Sequence, residues 1–149
     1  MSNQKIITIV DYDPQWPEIY ERERDFIEGI ISGLDYRIEH IGSTSVKGLG
    51  AKPVIDILLE LEDFDKDSEK MVELMAEAGY NYIDTFEYTM PYRRYFNKKC
   101  DGVITGYHIH SVQTGGWFWN RHIAFRDYLR EHDDVRDEYC RVKKELSKK

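Results

Sequence analysis

The eight residues Val54-Ile55-Asp56-Ile57-Leu58-Leu59-Glu60-Leu61 constrain this fold more than any other segment. Pro53 precedes them, and they read as a strand. Successive strand side chains point to opposite faces, so Ile55, Ile57, Leu59 and Leu61 share one face, which must be core. Val54, Asp56, Leu58 and Glu60 share the other. Asp56 therefore sits between apolar neighbours, where a carboxylate is costly unless it is solvated, paired or bound to metal.

The rest of the chain falls into place around that strand. Lys5 to Val10 reads as a short strand ended by the turn-like Asp11-Tyr12-Asp13-Pro14. Trp16, Ile19, Tyr20, Phe26, Ile27, Ile30 and Ile31 then recur at helical spacing until Gly33. Tyr36 to Ile41 reads as a strand running into Gly42-Ser43-Thr44-Ser45, small residues suited to a tight turn, with Ser43 or Thr44 able to cap a short helix. A helix over 66–78 follows, with Met71, Val72, Met75 and Ala78 inward and Gly79 as its stop. Three strands are expected at 80–87, 92–98 and 103–112, with Asp101-Gly102 as a hairpin turn between the last two. Two helices finish the chain, one marked by Trp117, Arg121, Ala124, Phe125, Tyr128 and Leu129, the other by Val135, Tyr139, Val142 and Leu146. This order predicts an α+β fold, a mixed β-sheet flanked by helices, in one domain spanning 1–149.

Charge narrows the partners. The chain is net −7, which argues against general nucleic-acid binding or an anionic membrane surface. Residues 56–90 hold eleven acids and two lysines, net −9, so the remainder is net +2. Basic clusters that can meet phosphate remain at Arg93, Arg94, Lys98 and Lys99, and in the last thirty residues. No apolar run approaches the roughly 20 residues of a membrane-spanning helix, and the N-terminus lacks the apolar stretch of a signal peptide. Cys100 and Cys140 form no CxxC pair and read as free thiols. A cytoplasmic location is expected.

Three constellations can carry chemistry. Gly42-Ser43-Thr44-Ser45 at a strand end lets a phosphate approach backbone N–H groups, with hydroxyls as further donors; the competing reading is an ordinary turn with a helix cap. It is neither a Walker loop nor GxGxxG. Asp56 can bind a divalent ion, but a second carboxylate two residues on would be Leu58, and Glu60 lies roughly 13 Å along the strand. The competing reading pairs Asp56 with Lys52 or an arginine. In His108-Ile109-His110 the two imidazoles share a strand face, a pair able to ligate metal or transfer protons. If the strands are neighbours, Asp56 and this pair converge on one divalent ion, a ligand set suited to Mn²⁺, Zn²⁺ or Ni²⁺ better than Mg²⁺. Arg93 and Arg94 point to opposite faces, so at most one serves a given site, and Arg126 can equally pair with Asp127. His122 and His132 fall on helix surfaces without an assigned role.

Tyr12-Asp13-Pro14-Gln15-Trp16, the run Ile38-Glu39-His40-Ile41-Gly42-Ser43-Thr44-Ser45-Val46, Ala51-Lys52-Pro53-Val54-Ile55-Asp56-Ile57, His108-Ile109-His110 and Phe125-Arg126-Asp127-Tyr128-Leu129-Arg130 together resemble the GrpB family. The resemblance implies a nucleotidyltransferase-like fold, in which a Gly-Ser turn precedes a strand bearing metal-binding carboxylates. Gly42-Ser43 and Asp56 match that layout, and Leu58 departs from it. Relatives of this family also occur fused to dephospho-CoA kinase, where the domain looks like an accessory module. The function expected first is transfer of a nucleotidyl group from a nucleoside triphosphate to a small acceptor. Gly42, Ser43, Thr44, Ser45, Lys52, Arg94 and Arg126 would then hold phosphate. Asp56, His108 and His110 would bind a divalent metal (Mg, Mn or Zn) or act in catalysis. The alternative is a non-catalytic module that binds a nucleotide or a coenzyme A-like small molecule.

Overall fold

In a computed structural model, which describes residues 9–85 and 87–147, five strands form one mixed sheet in the order β1-β2-β5-β4-β3. The strands are β1 Tyr36–Ile41, β2 Val54–Leu61, β3 Asn81–Ile83, β4 Arg93–Lys99 and β5 Gly106–Gln113. The helices are α1 Trp16–Ile30, α2 Phe64–Glu77, α3 Trp117–Glu131 and α4 Asp133–Ser147. β2 lies at the centre, antiparallel to β1 and parallel to β5. The α+β expectation holds, and β2 has the expected bounds.

The face carrying Ile55, Ile57, Leu59 and Leu61 packs under α1 and α2, with Trp16, Ile27, Met71 and Met75 wholly buried against it. The second face of β2 is buried as well. Leu58 is 0% exposed and joins Ile41, Val112 and Phe118 beneath α3. Burial on both faces is what a central strand of a helix-covered sheet requires. A third cluster, Val46, Leu49 and Leu129, holds the loop after β1 against α3 and α4.

Several boundaries differ from expectation. α2 starts at Phe64 because Asp63 caps it, its carboxylate accepting from the Lys66 N–H at 3.1 Å. Gly79 does follow the helix, at φ 103°. β3 is three residues long instead of eight. β5 begins at Gly106, not 103: Ile104 turns into the core, and the Cys100 N–H donates to the Thr105 carbonyl across a loop longer than an Asp-Gly turn. Of the strand expected over Lys5–Val10, residues 5–8 lie outside the described residues, and Val10 makes a single bridge to Ala51. No helix among the described residues is long and apolar enough to cross a membrane. Both cysteines are free thiols.

Candidate functional site

Register brings the sequence candidates together. In the β2–β5 pairing Asp56 lies beside His108, and β4 pairs Tyr95 with His110 and Asn97 with His108. Paired residues share a face, so Asp56, His108, His110, Tyr95 and Asn97 converge on one side of the sheet. Asp56 Oδ1 lies 3.5 Å from His108 Nδ1 and 3.8 Å from His110 Nε2. Burial pushes the Asp56 carboxyl up, but the two imidazoles outweigh it and bring it down to about 2. The expected convergence of Asp56 with the histidine pair is present.

The turn after β1 closes over the same carboxylate. Gly42 has φ 74°, and a Cβ there would stand 2.6 Å from Asp56 Oδ2. The conformation and the close approach both require glycine. Ser43–Ser45 form one turn of 3-10 helix. The hydroxyls then part company. Thr44 donates to the Val54 carbonyl at 3.0 Å, and Ser45 donates to the Gly42 carbonyl at 2.5 Å, so both brace the turn. His40 Nε2 lies 3.0 Å from Thr44 Oγ1. The Thr44 proton is committed to Val54, so His40 is the donor. Ser43 faces outward and accepts from Lys143 Nζ of α4 at 2.6 Å. Ser43, Lys52, Asp56, His108 and Lys143 line a cleft of about 130 Å³.

Two expected phosphate contacts lie elsewhere. Arg94 pairs across β4–β5 with Ser111, on the opposite face, where its guanidinium stacks over Phe64 and meets Glu87 at 3.6 Å. Arg93 is the member of that pair on the site face. Arg126 is buried beneath α3, bound to Glu39 at 2.8 Å, to Asp127 and to the His40 carbonyl. It ties α3 to β1 and has no free face for a ligand.

Sequence reasoning missed Lys143, Tyr95 and His122, and it named Arg93 without saying whether Arg93 or Arg94 faces the site. Lys143 reaches Ser43 across one hundred residues, and no local pattern announces such a contact. Tyr95 packs against both imidazoles, with ring centroids 5.7 and 5.2 Å away. His122 is not a free surface residue: it packs on Phe118 at 4.3 Å and faces His110 at 6.5 Å. Arg93 donates from Nη1 to His110 Nδ1 at 3.2 Å, so that nitrogen is an acceptor and Nε2 carries the proton toward Asp56.

These residues fit a two-metal centre poorly. The position for a second carboxylate is Leu58, sealed beneath α3. Glu60 is 1% exposed and faces Arg37. His110 presents a proton, not a lone pair, to Asp56. Among the described residues no group of three or more His, Cys, Asp or Glu side chains is arranged to hold a metal ion.

Comparisons with known proteins place this geometry. A family model described as GrpB protein matches residues 6–149. A UPF0157 protein of Halalkalibacterium halodurans is 37% identical over 95% of this chain and 69% of its own length. The conserved protein GrpB from Enterococcus faecalis has a crystal structure that superposes with a TM-score of 0.80 at 34% identity, covering 95% of this chain and 83% of that one. The Cid1 poly(U) polymerase with Mg 3′-dATP bound matches at a TM-score of 0.63 and 11% identity, over 91% of this chain and 42% of the polymerase; this likeness is one of fold. A dephospho-CoA kinase of Mycolicibacterium paratuberculosis is 26% identical over 93% of this chain and 39% of the kinase.

Proposed function

The chain belongs to the GrpB family, and from the geometry of its cleft we propose that it binds the phosphates of a nucleotide on a nucleotidyltransferase-like fold without two-metal transfer. One observation carries the reading: two cations, Lys52 and Lys143, meet the Gly42–Ser43 turn in one small cleft beside a single carboxylate. The charge of Asp56 is directed at the imidazoles, leaving the lysines and the Ser43 hydroxyl to a phosphate. Metal-assisted transfer needs carboxylates close enough to share ions, and the apolar packing of Leu58 removes one of them.

Calorimetry and thermal shift with AMP, ATP and inorganic pyrophosphate, each with and without Mg²⁺, test this reading. Binding should not depend on Mg²⁺, and ligand at about a hundred times its Kd should stabilise the fold by about 2.7 kcal/mol. Lys143→Met should weaken each ligand at least tenfold. No binding, or binding indifferent to Lys143→Met, overturns the proposal.

The transfer reading keeps a specific support, the position of Asp56 on the strand after a Gly-Ser turn within this fold. It requires pyrophosphate release from a nucleoside triphosphate with Mg²⁺ or Mn²⁺. None is expected, and release that Asp56→Asn abolishes would reverse the order of the two readings.

A further inference from the structure

At about 130 Å³ the first cleft holds a phosphate-sized group but falls short of the ~300 Å³ at which pockets begin to enclose whole small molecules. It continues into a second cleft of about 300 Å³, the two sharing Lys52, Val54 and His108. The second cleft runs across β5 to the end of β4, where Asn97, Lys99 and Thr105 line it.

Strand parity decides which groups face it. Arg93, Tyr95, Asn97 and Lys99 share the site face of β4, while Lys98 points to the other. Lys98 is fully occupied there, 2.5 Å from Glu23 and ringed by Phe26, Tyr80 and Tyr107 at 4.7–5.1 Å. Lys52 and Lys99 are different: among the described residues neither has a carboxylate within ion-pair distance. Asn97 is oriented as a donor, because its Oδ1 accepts from Asn81 Nδ2 at 3.0 Å and its own amide N–H groups remain for a ligand. Two ammonium groups and an amide donor thus border a cleft whose other end is the phosphate site. Val54, Gly106 and Lys99 lie in register on three adjacent strands, so Lys99 stands two strand spacings, about 10 Å, from the first cleft.

We propose that this second cleft takes a second phosphate group, so that the ligand is a nucleotide carrying two separate phosphates with a nucleoside between them, as in a nucleoside 3′,5′-bisphosphate. The proposal rests on the phosphate reading of the first cleft and adds a specificity to it. Lys52 serves both anions, Lys99 and Asn97 serve the second, and Lys143 with Ser43 serve the first.

Calorimetry with adenosine 3′,5′-bisphosphate, AMP and pyrophosphate, on the wild type and on Lys99→Ala, Lys99→Glu and Lys143→Met, tests it. The bisphosphate should bind at least tenfold more tightly than AMP. Lys99→Ala should remove most of that difference while leaving AMP unchanged, and Lys99→Glu should invert it. Equal affinity for AMP and the bisphosphate overturns the proposal and leaves the first cleft standing. So does a ratio that neither Lys99 variant alters. If AMP and pyrophosphate fail to bind while the bisphosphate binds through Lys99, the reading of the first cleft falls and the second subsite stands.

Discussion

Gly42 and His40 hold the turn that meets the ligand, and each does so for a reason a substitution can isolate. Gly42→Ala places a methyl 2.6 Å from Asp56 Oδ2 in a backbone conformation at φ 74°. With ψ at −176° this is an extended positive-φ region essentially reserved for glycine, so the strained backbone alone costs about 1–3 kcal/mol. The carboxylate must also move, so pyrophosphate affinity should fall at least tenfold. A variant that unfolds at the wild-type urea midpoint and binds pyrophosphate normally would refute the role given to the turn. His40 is buried, stacked on Tyr20 at 4.7 Å, and donates to Thr44. Burial lowers its pKa to about 3, helped by Arg130 and Arg126 against the pull of Asp56. The unfolded chain takes up this proton near pH 6.5, and the folded chain does not until near 3. The stability His40 contributes is therefore intact above pH 6.5 and is lost as the pH falls toward 3, at about 1.4 kcal/mol per pH unit. His40→Gln keeps an N–H donor without the titration. Urea unfolding at pH 7, 5.5 and 4.5 should give a shallower slope for the variant by that amount, and parallel slopes would count against it.

Between elements, the covering of the sheet by α3 is what separates this site from a carboxylate pair. The two-residue period of β2 was legible, and so was the grouping of Asp56 with the histidines once the strands were taken as neighbours. What period cannot reveal is which elements lie above each face. Leu58 and Val54 read as a second face of unknown fate, and Arg126 read as a phosphate contact because the sequence does not say that α3 crosses β1 at Glu39. Arg94 failed for a related reason: parity separates it from Arg93 without saying which face holds Asp56. Leu58→Asp, which restores the carboxylate spacing on paper, should destabilise the fold by more than about 3 kcal/mol and create no metal affinity, because it buries an unpaired charge among Ile41, Val112 and Phe118. A folded variant that binds Mn²⁺ in calorimetry would contradict the packing argument. Arg126→Met should lower stability by about 1–3 kcal/mol through loss of its hydrogen bonds to Glu39 and the His40 carbonyl. Its Kd for pyrophosphate should stay within twofold of wild type, the outcome a phosphate clamp would not give.

Across the whole molecule, the site draws on groups far apart in sequence: Ser43 after β1, Asp56 on β2, Lys99 on β4, His108 on β5 and Lys143 on α4. The opposite face, under α1 and α2, is a closed apolar core, and the stretch rich in acids largely forms α2 and its flanks. Apart from Asp56, the acids of that stretch lie away from the cleft, so a net charge of −7 is compatible with an anion site that composition alone argues against only for extended polyanions. This arrangement makes α4 the element most sensitive to ligand. It reaches the cleft through Lys143, packs on the small cluster of Val46, Leu49 and Leu129, and sets Tyr139 against Phe125 of α3. It is tied at its surface by Lys144, 2.7 Å from Asp11, and by Arg136, which donates to the Lys47 carbonyl at 3.0 Å. Elements with few buried apolar contacts open locally before the core does. Amide hydrogen exchange should therefore find α4 less protected than β2 and β5 in the free protein. Saturating pyrophosphate should slow exchange in α4 and in residues 43–46 while leaving α1 and α2 unchanged. Slowing spread evenly over the chain would mean that ligand acts on global unfolding alone, and slowing absent from α4 would remove Lys143 from the binding site.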